Sequence, residues 1–131
     1  MKEKYLSTFT EICAFLAIFF ATVQDALLAI GFLIMVDTFT GIWGAFKTGG
    51  TKAITSRKAG RIISKLILYP LAIIVAKVAQ DFLAPAIPWV DVTAGILAMV
   101  EVKSIFENMS LILGFDLWTR IKKQIWKDKE E

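Results

Sequence analysis

Asp37, Thr40 and Gly41 lie within about one helical turn of each other, inside the apolar run Ala26 to Phe46, ALLAIGFLIMVDTFTGIWGAF. Further along, Glu101, Ser104 and Asn108 recur at i, i+3 and i+7, which puts them on one face of a helix. Lys103 and Glu107 stand four residues apart, where they can pair along that helix. A carboxylate near the middle of a membrane span costs about 2.5–3.5 kcal/mol on insertion scales. A span that keeps one faces it to protein or to water. The chemistry on offer is therefore ion pairing, hydrogen bonding and the admission of water. Two uses are open. The acids and bases can pair within one molecule, for example Asp37 or Glu107 with Lys65 or Lys103, or the polar face can line a pore between subunits. Lys65 and Lys77 have a simpler reading as snorkelling to opposite interfaces. Gly41 and Ala45 form a small-x-x-x-small pair that permits close helix approach, a spacing repeated at Ala72/Ala76 and Ala94/Ala98.

The rest of the inventory argues against bond-making chemistry. The 131 residues contain no histidine and one cysteine, Cys13, which excludes an intramolecular disulfide and removes the commonest acid–base and metal-binding side chain. There is no H-E-x-x-H, no C-x-x-C and no glycine-rich phosphate loop after a strand. Gly49-Gly50 reads as a flexible turn. We expect no enzyme, no catalytic or metal site and no cofactor. The net charge of +3 is too small for general nucleic-acid binding.

Helices must position these residues, and composition says in what medium. Apolar residues make up 56% of the chain and mean hydropathy is +0.63, above the ~45–50% apolar share of soluble domains. An all-α integral membrane protein follows, as a single domain over residues 1–131. Three spans are expected, at about 26–46, 62–78 and 92–113. A fourth, N-terminal one at about 12–23 is left open, because 12–46 is too short for two spans of about 20 residues plus a turn. Gln24-Asp25 is the natural break between the first two. A cleaved signal peptide is disfavoured by Glu11 at the edge of the apolar run.

Basic residues set the topology. Lys47, Lys52, Arg57, Lys58 and Arg61 fill the link 47–61, which carries no acid and belongs in the cytoplasm. The link from Gln80 to Trp89 has Asp81, Pro85 and Pro88 without Lys or Arg, as an outside loop should. The tail, 115–131, carries Arg120, Lys122, Lys123 and Lys127 and is also placed in the cytoplasm. Leu117, Trp118, Ile121 and Ile125 give it an apolar face, so it reads as an amphipathic helix on anionic lipid, with Trp118 and Trp126 at the interface, or as a solvated basic helix.

Taken in order, Asp37-x-x-Thr40-Gly41, Ser56-x-Lys58, Gly60 and Lys65, Asp81, and Glu101-x-x-Ser104-Ile105-x-Glu107-Asn108 resemble the toxin-secretion/phage-lysis holin family over roughly residues 26–125. The resemblance implies a small multi-pass protein of the bacterial cytoplasmic membrane. Such a protein self-associates and opens lesions through which an endolysin or toxin passes. The partners it implies are the bilayer, further copies of the chain and, functionally, an endolysin. The positions that match the family's pattern, Asp37, Thr40, Gly41, Glu101, Ser104, Glu107 and Asn108, are expected in packing or pore lining. The chain departs from the pattern after Asn108, where Gly114-Phe115-Asp116-Leu117-Trp118 lacks the family's proline-rich turn, leaving open whether the last helix runs on into the tail. Two other readings stand beside it: a non-lytic anchor whose basic loop and tail dock a soluble protein, and a small ion channel.

Overall fold

The computed structural model describes residues 2–49 and 56–127, and the side chains within residues 3–49 and 60–125. No strand occurs among them. The elements are α1 (Lys2–Ala21), α2 (Gln24–Gly49), α3 (Ser56–Val78) running into a π-helical turn (Ala79–Leu83), α4 (Trp89–Leu113) and α5 (Leu117–Lys127). Among the described residues three helices are long and apolar enough to cross a membrane: Glu3–Ala21, Gln24–Gly49 and Gly60–Leu83. The 25-residue α4 is long enough, but Asp91, Glu101, Lys103 and Glu107 make it too charged to qualify on composition.

The helices are longer than the apolar runs that announce them. α1 takes in the polar start of the chain, Lys2 to Glu11, and so reaches 20 residues. That settles the length of the N-terminal segment, which hydropathy alone left short. The break between α1 and α2 falls at Thr22-Val23, not at Gln24-Asp25. Thr22 Oγ1 donates to Phe19 O at 2.7 Å, giving the end of α1 a side-chain donor. Asp25 moves into the first turn of α2, where a negative charge suits the helix dipole. The basic link shrinks in the same way: Lys47 belongs to α2, and Arg57, Lys58 and Arg61 to α3.

Pro88 starts α4, its carbonyl accepting from Val92 N at 3.0 Å. Gly114 ends it with φ +76°, the left-handed conformation that glycine adopts without a Cβ penalty. The last helix does not run on into the tail. Asp116 Oδ1 accepts the backbone N–H of Thr119 at 3.1 Å and caps a separate α5, while Leu117 N donates to Ser110 Oγ at 3.0 Å and fixes the corner.

α2, α3 and α4 pack together, with α2 against α4 the most extensive interface. Their contact has two ends. Toward the proline loop lies an apolar core of Val23, Ile30, Ile34, Ile73, Ala76 and Val90, with Leu33, Leu97 and Ala98 packed on it. Toward Lys47 and Arg61, the basic end, lie the polar residues. α1 stands apart: none of its side chains from Glu3 to Ala21 is buried.

Candidate functional site

α2 brings Asp37 and Thr40 to the basic end, α3 brings Lys65 and Tyr69, and α4 brings Glu101 and Asn108. Each pair is three, four or seven residues apart, so each helix presents both of its members on one face. Lys65 Nζ lies 2.7 Å from Asp37 Oδ2 and 2.8 Å from Glu101 Oε2. Tyr69 donates its hydroxyl to Glu101 Oε1 at 2.7 Å. Asn108 Nδ2 donates to Asp37 Oδ1 at 2.9 Å and approaches Asp37 O at 3.3 Å and Thr40 Oγ1 at 3.4 Å. Every carboxylate oxygen of Asp37 and Glu101 thus has a donor. That matters most for Glu101, whose side chain is 0% exposed, because a buried charge is tolerated only when paired and hydrogen-bonded.

Close helix approach makes the network possible. A Cβ on Gly41 would meet Asn108 Nδ2 at 3.3 Å, and one on Gly44 would meet Asn108 O at 3.5 Å. Ala45 is buried. The notch at Gly41 and Gly44 is therefore filled by α4 of the same molecule, and Ala45 borders the adjoining cavity. Next to the network is a half-open cavity of about 410 Å³, lined by Asp37, Gly41, Arg61, Lys65, Ser104 and Glu107 among others.

Of the residues singled out from sequence, Asp37, Thr40, Gly41, Ala45, Lys65, Glu101, Ser104 and Asn108 converge here. Lys65 is not a snorkelling residue; it turns inward, because two carboxylates reach it from facing helices. Lys103 and Glu107 pair with each other at 3.4 Å, both exposed, with Glu107 at the rim of the cavity. Lys77 pairs with Asp81 at 2.6 Å across the junction of α3 and the π turn. Sequence reading missed Tyr69 and Gly44. The first was legible as the i+4 neighbour of Lys65, the second as the i+3 neighbour of Gly41.

The expected membrane-surface residues divide. Lys47 Nζ donates to Ile112 O, placing a cation at the C-terminus of α4 where the helix dipole favours one. On α5, Trp118 packs on Phe106 at 6.0 Å between ring centroids, with Lys122 Nζ 5.3 Å from the Trp118 ring and Arg120 4.3 Å from the Phe115 ring. Lys123 is exposed. Lys52 and the side chains of Arg57, Lys58, Trp126 and Lys127 lie outside the described residues. Among the described residues no cluster of His, Cys, Asp or Glu could hold a metal ion.

A family model, that of the bacteriophage holins, matches residues 14–127. The chain belongs to the bacteriophage holin family. No curated protein and no solved structure matches it. In this holin Asp37, Thr40, Lys65, Glu101 and Asn108, among the residues that carry the family resemblance, are members of the network, and its three long apolar helices among the described residues place it in a membrane.

Proposed function

We propose that this holin accumulates in the bacterial cytoplasmic membrane, self-associates and opens lesions that release an endolysin or another protein. The observation that carries the reading is the pairing of the polar face of α4. Both carboxylate oxygens of Glu101 and the amide nitrogen of Asn108 are paired inside one molecule, so in a single copy these groups are turned to its own helices and not to lipid. The same donors and acceptors fit a neighbour's α2 and α3 equally well, so crowded copies can exchange partners and let water between them. Such an exchange conserves hydrogen bonds, which is what a low-dielectric medium demands.

In this reading α1 to α4 all cross, α4 with Glu101 turned to its neighbours, and the N-terminus, the link after α2 and the C-terminal α5 are cytoplasmic; the basic residues of the link and tail support it. α5 then lies on the inner leaflet, with Arg120, Lys122 and Lys123 toward anionic headgroups.

Inducible expression in bacteria, with membrane potential and culture density followed together and with or without a cytoplasmic endolysin, tests the function. Abrupt depolarisation, with rapid lysis only beside the endolysin, is expected. Sustained growth at normal potential, with expression in the membrane confirmed, would refute it and favour the anchor. Asp37→Leu removes both an ion pair and the acceptor for Asn108, and it is expected to shift the time of lysis strongly. Unchanged timing at equal expression would remove Asp37 from the mechanism.

A further inference from the structure

The two halves of α3 are held by different chemistry, and a proline separates them. Before Pro70, Lys65 and the Tyr69 hydroxyl bind Asp37 and Glu101 through polar contacts, while the Tyr69 ring, at the border, packs on the apolar core. After it, Ile73 at 0% and Ala76 at 7% exposure are embedded in the apolar core. Pro70 lies inside the helix and has no N–H, so the backbone bond that would span from it to Leu66 O is missing. The weakest point of the α3 backbone thus falls at the border between the two kinds of packing. The half before it, through Arg61, Ile62 and Lys65, forms one wall of the 410 Å³ cavity.

We infer that Tyr69 is a positioning residue that keeps this wall packed against α2 and α4 by holding Glu101, and that Pro70 is the hinge about which the Ser56–Tyr69 half of α3 swings. The inference rests on the holin reading and names what regulates opening in it. Lys65 alone cannot do the work of Tyr69, because it is shared by two carboxylates and satisfies only one oxygen of Glu101. The hydroxyl supplies the other. Glu101 is fully buried, so water does not replace a lost donor, and the closed arrangement is weakened relative to the swung one. The apolar half beyond Pro70 stays in place when the hydroxyl is lost, since the Tyr69 ring that packs on its core remains in Tyr69→Phe.

The test reads the cavity directly and needs no endolysin. Full-length Cys13→Ser/Ser104→Cys protein in inverted membrane vesicles is labelled with a membrane-impermeant maleimide, Ser104 being a cavity residue. Tyr69→Phe is expected to raise the labelling rate roughly tenfold, the effect of leaving a buried acceptor unmet. Pro70→Ala, which restores the backbone bond, is expected to lower it below the parent's. In a Glu101→Leu background Tyr69→Phe should have no further effect, because the hydroxyl then has nothing to hold. A cysteine at Thr93, near the proline-loop end of α4, is labelled in right-side-out vesicles, where that end faces the reagent, and should label at one rate in all of these variants. An unchanged rate in Tyr69→Phe, an undiminished effect in the Glu101→Leu background, an unchanged or faster rate in Pro70→Ala, or an equal rise at position 93 would overturn the inference. Failure of lysis in cells with the expected labelling pattern would instead overturn the holin reading.

Discussion

At the proline-loop end, α2, α3 and α4 meet through Ile30, Ile34, Ile73, Ala76 and Val90. At the basic end the same helices meet through one ammonium, two carboxylates, a phenol and an amide. The first contact is non-directional: its partners are interchangeable with lipid tails, and it depends on fit. The second is directional, and each group in it has one acceptable arrangement per partner. Apolar packing loosens gradually, whereas a buried polar network is either satisfied or costly. A membrane protein that must stay sealed and then open abruptly is well served by having both in series on the same helices.

The largest effect should come from breaking the polar end one-sidedly. Lys65→Ala leaves two carboxylates facing each other and is expected to destabilise the fold by about 3–5 kcal/mol, measured by denaturant unfolding in detergent micelles. Replacing Asp37, Lys65 and Glu101 together by Leu, Met and Leu makes this end resemble the other. Stability should then be equal or greater, while lysis is lost. A triple variant as unstable as Lys65→Ala would show that the ions contribute net stability instead of a switch.

Ile73→Ala breaks the apolar end. It should cost about 2–5 kcal/mol yet leave maleimide labelling at position 104 near the parent's rate. A rise matching that of Tyr69→Phe would mean the two ends are not separable. Asn108→Ala is milder, about 1–3 kcal/mol for the donor lost from Asp37 Oδ1, and should advance lysis at equal expression.

The smallest effect lies outside the core, at the cap of α5. Hydrogen bonds from the hydroxyl and backbone N–H of Thr119 hold the carboxyl of Asp116 below its ordinary value of 3.8. A depressed carboxylate stabilises above its unfolded value and stops doing so as pH falls through the folded one. The fluorescence of a variant retaining only Trp118 should therefore be constant from neutral pH to about pH 4 and change only below it. A change centred near pH 6 would exclude Asp116 as its source.

Much of this architecture is legible in the chain. The apolar runs fix the helices, and the spacing of Glu101 and Asn108 fixes their shared face. The pairing of Asp37 with Lys65 and of Lys103 with Glu107 is among the alternatives that charge and spacing allow. What hydropathy could not supply was the extent of α1, because polar residues join a helix when the chain before the apolar run has no breaker. Nor could it supply the inward turn of Lys65, since a lysine near the end of an apolar run looks the same whether it reaches for water or for a carboxylate. That choice is made by α4, through a glutamate 36 residues away in sequence. The turn at Gly114 needed no proline, because a glycine at positive φ stops a helix as well.

None of the α1 side chains from Glu3 to Ala21 is buried, and the first buried residue after it is Val23, 1% exposed. In a bilayer, acyl chains are the solvent of α1, and a solvent selects for solubility, not for shape. Tyr5, Phe9, Ile12 and Phe15 can be exchanged among apolar residues with no partner to register the change, whereas one added carbon at Gly41 is felt by Asn108. The family match begins at residue 14, part-way along this helix. The chain therefore contains two alphabets, a permissive one in α1 that records only length and polarity and a strict one in α2 and α4 that records identity.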